Sequence, residues 1–200
     1  YVAWVDNRHN NPDIYFARST DAGSTWTAHG LVQTDVISGD QQFFPSLAVD
    51  RSNRVYVAWE EYATAATQPA ILMSTSDDQG DTWSNPVAIS SEAGAEKPSL
   101  AAGDDGEVFC VWCQVRSSES SYRVDFSRST DQGQTWSTSV TVNDDPASAE
   151  VPDLALDGDG TLHTIWEDYR NVNADIYATY STDDGATWET NVQVNDDTTS

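Results

Sequence analysis

STDAGSTW, residues 19–26, recurs as SDDQGDTW (76–83), STDQGQTW (129–136) and STDDGATW (181–188). All four octamers fit S-x-D-x-G-x-T-W, and their tryptophans are separated by 57, 53 and 52 residues. A supersecondary unit repeating at a near-constant period is the signature of a repeat architecture. The fixed positions are Ser19, Asp21, Gly23 and Trp26; Ser76, Asp78, Gly80 and Trp83; Ser129, Asp131, Gly133 and Trp136; Ser181, Asp183, Gly185 and Trp188. Each has a local task in a tight hairpin. Aspartate accepts hydrogen bonds from amides just ahead of it. Glycine takes a positive φ without a Cβ penalty. The serine hydroxyl satisfies a further backbone group. Tryptophan buries its ring as the chain re-enters the sheet. A ligand site seldom needs four copies, so the octamer reads as scaffold.

A second tryptophan series, Trp4, Trp59, Trp112 and Trp166, ends the short apolar runs YVAW, VYVAW, VFCVW and LHTIW. FPSLAVD (44–50), KPSLAAGD (97–104) and VPDLALD (151–157) precede three of them. Each unit therefore reads as four strands. A is SLAVD and its equivalents. B ends in tryptophan. C is DIYFARS, ILMSTS, VDFSRS or DIYATYS. D is PVAIS, SVTVN or NVQVN. β-branched and aromatic runs bounded by turn residues are strands. No segment carries a helical period. The expected fold is all-β: a propeller of four-stranded antiparallel blades, about four in number. Strands B–D of blade 1 occupy 1–36, blade 2 spans 37–91, blade 3 spans 92–144 and blade 4 spans 145–197. The opening YVAWVD reads as mid-strand and the first A strand is lacking, so the ring is expected to be partial or incompletely closed. Either the remainder of a longer chain or self-association through open blade edges would complete it, since an unpaired edge is a liability.

S-x-D-x-G-x-T-W resembles the Asp-box, or BNR repeat, of sialidases and other propellers. The resemblance runs through essentially the whole chain. It implies the blade type and not the activity, because Asp-boxes occur in propellers of several functions. It also implies that substrate binds on the face bearing the B–C and D–A connections, opposite the Asp-boxes.

On that face WVDNRHNNPDIY (4–15) matches WEDYRNVNADIY (166–177) as W-x-D-x-R-x-x-x-x-D-I-Y. Repeat three keeps Arg116, with Gln114 and Arg123 in place of the two aspartates; repeat two has Ala63 and Ala70. Arg8, Arg116 and Arg170, with Asp6 and Asp168, are therefore the candidate ligand-binding residues. A guanidinium suits a carboxylate because its fork binds two oxygens at once. The competing and favoured reading is a local clip, Arg8 on Asp6 or Asp13 and Arg170 on Asp168 or Asp175. Glu119 is then a substitute partner for Arg116. The resemblance to sialidases implies three arginines on the substrate carboxylate, a tyrosine nucleophile aided by glutamate, and an aspartate acid/base. No Arg-Ile-Pro segment of the kind that carries that family's first arginine is present. Glu60, Glu61 and Tyr62, and Glu167, Asp168 and Tyr169, place tyrosines beside acids at equivalent points of the repeat, which argues for blade structure. No catalytic residue is assigned.

Thirty-three acidic residues against nine basic give a net charge of −24, which repels nucleic acid and anionic membranes. No apolar window is long enough to span a bilayer. Such a surface suits a secreted or cell-surface protein. Cys110 and Cys113 lie three apart on a strand and so on opposite faces, which opposes a disulfide. No cofactor is required. The aspartate turns DGDG (157–160) and NDD (143–145, 195–197) offer oxygen ligands to calcium but lack EF-hand spacing. His9, His29 and His163 form no ligand set, and His163 is expected to pack as Tyr56 and Phe109 do in their blades. The leading expectation is a non-catalytic extracellular module that recognises a glycan or protein. An exo-sialidase-like glycosidase with catalytic residues partly outside this stretch, and a self-assembling architectural module, are the alternatives.

Overall fold

The computed structural model describes residues 1–200 except 9, 34–38, 65, 67, 105, 117–120, 172 and 197–200. Among the described residues fifteen strands form four antiparallel meanders. The first sheet is β1 (Val2–Asp6), β2 (Asp13–Ala17) and β3 (Gly30–Leu31). The second is β4 (Gln41–Val49), β5 (Val55–Tyr62), β6 (Ala70–Ser76) and β7 (Val87–Ala88). The third is β8 (Ala95–Ala102), β9 (Val108–Val115), β10 (Tyr122–Ser129) and β11 (Val140–Thr141). The fourth is β12 (Ala149–Leu156), β13 (Leu162–Asn171), β14 (Asn173–Ser181) and β15 (Val192–Gln193). These are propeller blades, stacked in chain order.

The core lies in three seams between blades. Residues alternate across a strand, so β5 sends Val55, Val57 and Trp59 back to Ile14 and Phe16, and Tyr56 and Ala58 forward to Cys110 and Trp112. In β9, Phe109 and Val111 point forward to Trp166 and Tyr177. The middle strands β5 and β9 are thus buried on both faces, whereas β13 alternates buried and exposed. His163 lies on that open outer face. It is half exposed and hydrogen-bonds Asp157 at 3.0 Å, so it does not pack as Tyr56 and Phe109 do. The reason is that none of the described sheets covers this face, and not the residue. Tyr56 reaches the equivalent turn aspartate, Asp50, at 3.1 Å. Cys110 and Cys113 are buried free thiols on opposite faces of β9.

Two strand types differ from expectation. Strand A starts earlier, at Gln41, Ala95 and Ala149, because a bulge extends it. The bulge residues Phe44, Lys97 and Val151 hold φ of +48°, +53° and +51°, each just before proline. Strand D pairs over only two residues. One more backbone bond follows, from Ile89, Val142 or Val194 to Ile71, Val124 or Ile176, at 2.8–2.9 Å. The side chains of Ser90, Asn143 and Asn195 then accept the next strand-C amide at 2.8–3.0 Å. A side-chain oxygen ends the ladder and frees the chain to leave for the next blade.

The octamers form one turn four times over. Asp21 accepts Thr25 N at 2.8 Å and Thr25 Oγ1 at 2.6 Å; Ser19 Oγ accepts Gly23 N at 2.8 Å and donates to Asp21 at 2.7 Å. The other three boxes repeat these contacts within 0.1 Å. Glycine and tryptophan, however, act between blades. A Cβ on Gly80 would lie 1.9 Å from Phe16, one on Gly133 2.0 Å from Met73, and one on Gly185 2.1 Å from Phe126. Trp83 and Trp188 meet Phe16 and Phe126 edge-on, at 5.1 and 5.2 Å between centroids. Arg18 and Arg128 add bonds to turn carbonyls of the next blade's box. The first box has no blade before it among the described residues, and Trp26 stays 47% exposed.

Candidate functional site

In a meander the A–B turns and the boxes share one end of each blade. A cleft of about 350 Å³ at that end joins the turn residues Asp50, Asp104 and Asp157 to Asp184 of the fourth box. Asp50 and Asp157 are occupied by their own turns, Asp157 accepting from Asp159 N and Thr161 N at 2.9 Å, and Asp104 pairs with Arg51 at 2.7 Å. Among the described residues no three His, Cys, Asp or Glu side chains are grouped to hold a metal ion.

The other end carries the B–C and D–A connections, and its chemistry begins at the strand-B tryptophans. In every blade the indole N–H donates to the side chain two residues on: Trp4 to Asp6 at 3.3 Å, Trp59 to Glu61 at 2.6 Å, Trp112 to Gln114 at 3.1 Å and Trp166 to Asp168 at 2.9 Å. The signal was present as an acceptor at the second place after each tryptophan (WVD, WEE, WCQ, WED), and sequence reasoning had missed it.

The arginines close on these acceptors. Arg8 donates from Nε to Asp6 at 2.9 Å and pairs again through its terminal nitrogen. Arg170 grips Asp168 with two bonds of 2.8 Å and also pairs with Asp144 at 3.0 Å. Each guanidinium lies over the strand-C tyrosine of its blade, Tyr15 at 4.2 Å and Tyr177 at 4.0 Å. Asp13 and Asp175 instead accept from Asn11 and Asn171 at 3.0 Å. In repeat three Arg123 reverses the clip, pairing with Asp125 at 2.8 Å and Glu92 at 3.1 Å. Arg116 points at backbone carbonyls of Tyr122 and Asp145, at 3.5 and 3.4 Å. Glu119 lies outside the described residues. Arg8 serves its own blade, whereas Arg116 and Arg170 both reach the connection between the third and fourth blades, at Asp145 and Asp144.

What is gathered across blades is a belt of tyrosines and glutamates. Alternation places Glu60 and Tyr62 on the forward face of β5, opposite Trp59 and Glu61. There Glu60 accepts the Lys97 amide at 3.2 Å and lies beside Tyr62. Tyr122 lies in the field of Glu96 and Glu150. Tyr169 donates to Glu167 at 3.5 Å and lies in the field of Glu150. Ser148 orients the belt by donating to Glu150 at 3.1 Å and accepting Tyr122 N at 3.1 Å. Tyr62 and Tyr169 are about one-third exposed, and Phe44 on its bulge more than half.

Burial raises the pKa of Glu60, Glu61 and Glu96, and burial beside these acids raises Tyr62 and Tyr122. The clip aspartates go the other way. The Arg8 guanidinium holds Asp6 well below the carboxylate range. Burial pushes Asp168 up, but Arg170 and the Trp166 indole outweigh it. Hydrogen bonds from the box threonines lower Asp21, Asp78 and Asp183 to about 2.

These opposed shifts predict a stability optimum in mild acid. A glutamate with a raised folded pKa opposes folding while ionised, so lowering the pH from neutrality relieves it. A depressed aspartate contributes fully above its unfolded pKa of about 3.9, and the contribution is lost as pH falls through the folded value. Thermal melts followed by circular dichroism should show the midpoint rising from pH ~7 to pH ~5, then falling steeply below pH ~4. A midpoint that declines steadily from neutrality would contradict the assignment.

Residues 4–164 match the BNR repeat-like domain. The chain belongs to that family. Among curated proteins the BNR repeat-like chain is 26% identical to a sialidase of Clostridium perfringens and 27% identical to a sialidase of Paraclostridium sordellii. Each match covers 94% of this chain, which spans about half of those relatives' length, 56% and 54%. Among solved structures the Hadza microbial sialidase Hz136 superposes with a TM-score of 0.69 at 20% identity, over 90% of this chain and 40% of its own. This last likeness is one of fold. Against the Arg-Ile-Pro pattern, three strands of the BNR repeat-like chain carry a proline with Phe43, Glu96 or Glu150 two residues before it, where that pattern has arginine.

Proposed function

We propose that this chain is a glycan-binding propeller module whose ligand lies on the B–C and D–A face. The observation that carries the reading is the belt of Tyr62, Tyr122 and Tyr169 interleaved with Glu60, Glu96, Glu150 and Glu167. Tyrosine offers a sugar ring an apolar plane with a polar edge. Glutamate accepts from sugar hydroxyls. The opposite end offers less, because its boxes and the turn aspartates Asp50 and Asp157 are engaged by their own backbone, and Asp104 and Asp184 by arginines. A secreted or cell-surface setting accords with the net charge of −24.

Binding to an immobilised glycan panel tests the reading. The chain is expected to retain a discrete set of glycans, and Tyr122→Ala with Tyr169→Ala should weaken that binding about tenfold or more while the melting curve stays cooperative. Retention of no glycan at all would sink it.

A second reading, a sialidase-like glycosidase, is favoured by the curated sialidase relatives and by the raised pKa of Glu60 and Glu96, as a general acid requires. The raised tyrosines speak against a nucleophile within this stretch. Release of fluorophore from a sialoside by the chain, abolished by Glu60→Gln, would favour the enzyme. A sedimentation mass of one chain would exclude self-assembly as the role.

A further inference from the structure

We infer that the tyrosine–glutamate belt selects uncharged sugars and rejects those carrying a carboxylate. The inference rests on the glycan-binding reading and gives its ligand class.

The argument is one of hydrogen-bond polarity and charge. An ionised carboxylate has acceptors and no donor. Glu96, Glu150 and Glu167, which are partly exposed, therefore bond to sugar hydroxyls and have nothing to offer a sugar carboxylate except repulsion, while the buried Glu60 contributes only its field. At a separation of several ångströms and intermediate dielectric, a single like-charge pair is enough to change affinity about tenfold. The tyrosine hydroxyls do not reverse this. Tyr62 and Tyr122 lie beside Glu60 and Glu96, and Tyr169 donates to Glu167 at 3.5 Å, so each hydroxyl has an acid of the belt at hand to accept its one proton.

The cations on this end are committed elsewhere. Arg8 is held by Asp6, Arg170 by Asp168 and Asp144, and Arg123 by Asp125 and Glu92. Arg116 faces the carbonyls of Tyr122 and Asp145. Lys97, the chain's only lysine, sits in the belt within the field of Glu60 and Glu96, where its single charge is outnumbered. The remaining titratable neighbour, Cys113, is buried, and burial pushes its pKa up, so it adds no charge. Phe43, Glu96 and Glu150 stand at the three pre-proline places, so the belt holds no arginine there for a carboxylate.

The test compares glycans on the same chain. Neutral oligosaccharides should bind at least about tenfold tighter than their sialylated or uronic-acid counterparts at ~0.05 M salt, and the gap should narrow at ~0.5 M, where charges more than a few ångströms apart are screened. Glu96→Gln with Glu150→Gln should cut the preference for neutral over acidic glycans about tenfold, read as the ratio of the two affinities on the same variant. Equal or tighter binding of sialylated glycans, with no response to salt, overturns the inference and leaves the glycan-binding reading standing. Binding to no glycan overturns both. The salt series needs no variant, so the inference remains open to refutation should the double variant fold poorly.

Discussion

Alanine at Gly80 is expected to lower unfolding free energy by about 3–4 kcal/mol, a fall in midpoint of roughly 10 °C for a chain of this size. Two costs combine. The φ of +93° strains any residue with a Cβ, by about 1–2 kcal/mol, and the new methyl would sit 1.9 Å from the Phe16 ring. Gly23 separates the two. It holds a similar φ, +88°, but a Cβ there meets only Trp26, at 3.8 Å. Gly23→Ala should therefore cost only the backbone part, about 1–2 kcal/mol. Phe16→Ala added to Gly80→Ala should recover part of the larger loss, as a contact pair does in a double-mutant cycle. Guanidinium unfolding of the parent, the three single variants at Gly23, Gly80 and Phe16, and the Phe16–Gly80 double variant measures all three claims. Equal losses at Gly23 and Gly80 would mean that the glycine serves its own turn alone.

Asp168→Ala carries the second large effect, a loss of about 3–5 kcal/mol. The Asp168 side chain is fully buried and accepts from the Trp166 indole at 2.9 Å, from Arg170 Nε and Nη2 at 2.8 Å each, and from Arg170 N at 3.0 Å. Removing it strands a partly buried guanidinium and an indole N–H. Asp168→Asn should fall between, since the amide oxygen still accepts while the charge pairing is gone. The equivalent Asp6→Ala should cost less, because both partners in the first blade are more exposed. Urea unfolding with an unchanged m-value would assign the loss to the native state. A cost below that of Asp6→Ala would remove the clip as the explanation.

Within a repeat unit the structure was legible in the sequence. Strands B and C, the turn of Ser19, Asp21 and Gly23, and the opposed faces of Cys110 and Cys113 all follow from alternation and turn chemistry over a few residues. Contacts between units were not. Phe16, Met73 and Phe126 formed a visible column of large apolar residues three places before each box serine, but Ala178 breaks it, and nothing in local periodicity ties Phe16 to Gly80. The bulges of strand A were hidden for a related reason. A left-handed Phe44, Lys97 or Val151 before proline runs against the usual preference of that dipeptide, and only the seam between blades holds it. The arginines stood out as residues, while their partners became clear only once the tryptophan-linked acceptors were seen. The belt was partly visible, as Tyr62 and Tyr169 beside acids. Glu96, Glu150 and Tyr122 joined it through the stacking of sheets.

The seating of each box glycine on the blade before it also gives the chain a direction of assembly. Phe16 leaves the ribosome ahead of Gly80, Met73 ahead of Gly133, and Phe126 ahead of Gly185. These three hairpins thus emerge to find their anvils already made, and none of the three waits on sequence still to be translated. Synthesis at a few residues per second leaves ample time for one blade to settle before the next arrives. A propeller built this way is laid down from the N-terminus, each blade serving as the mould for its successor.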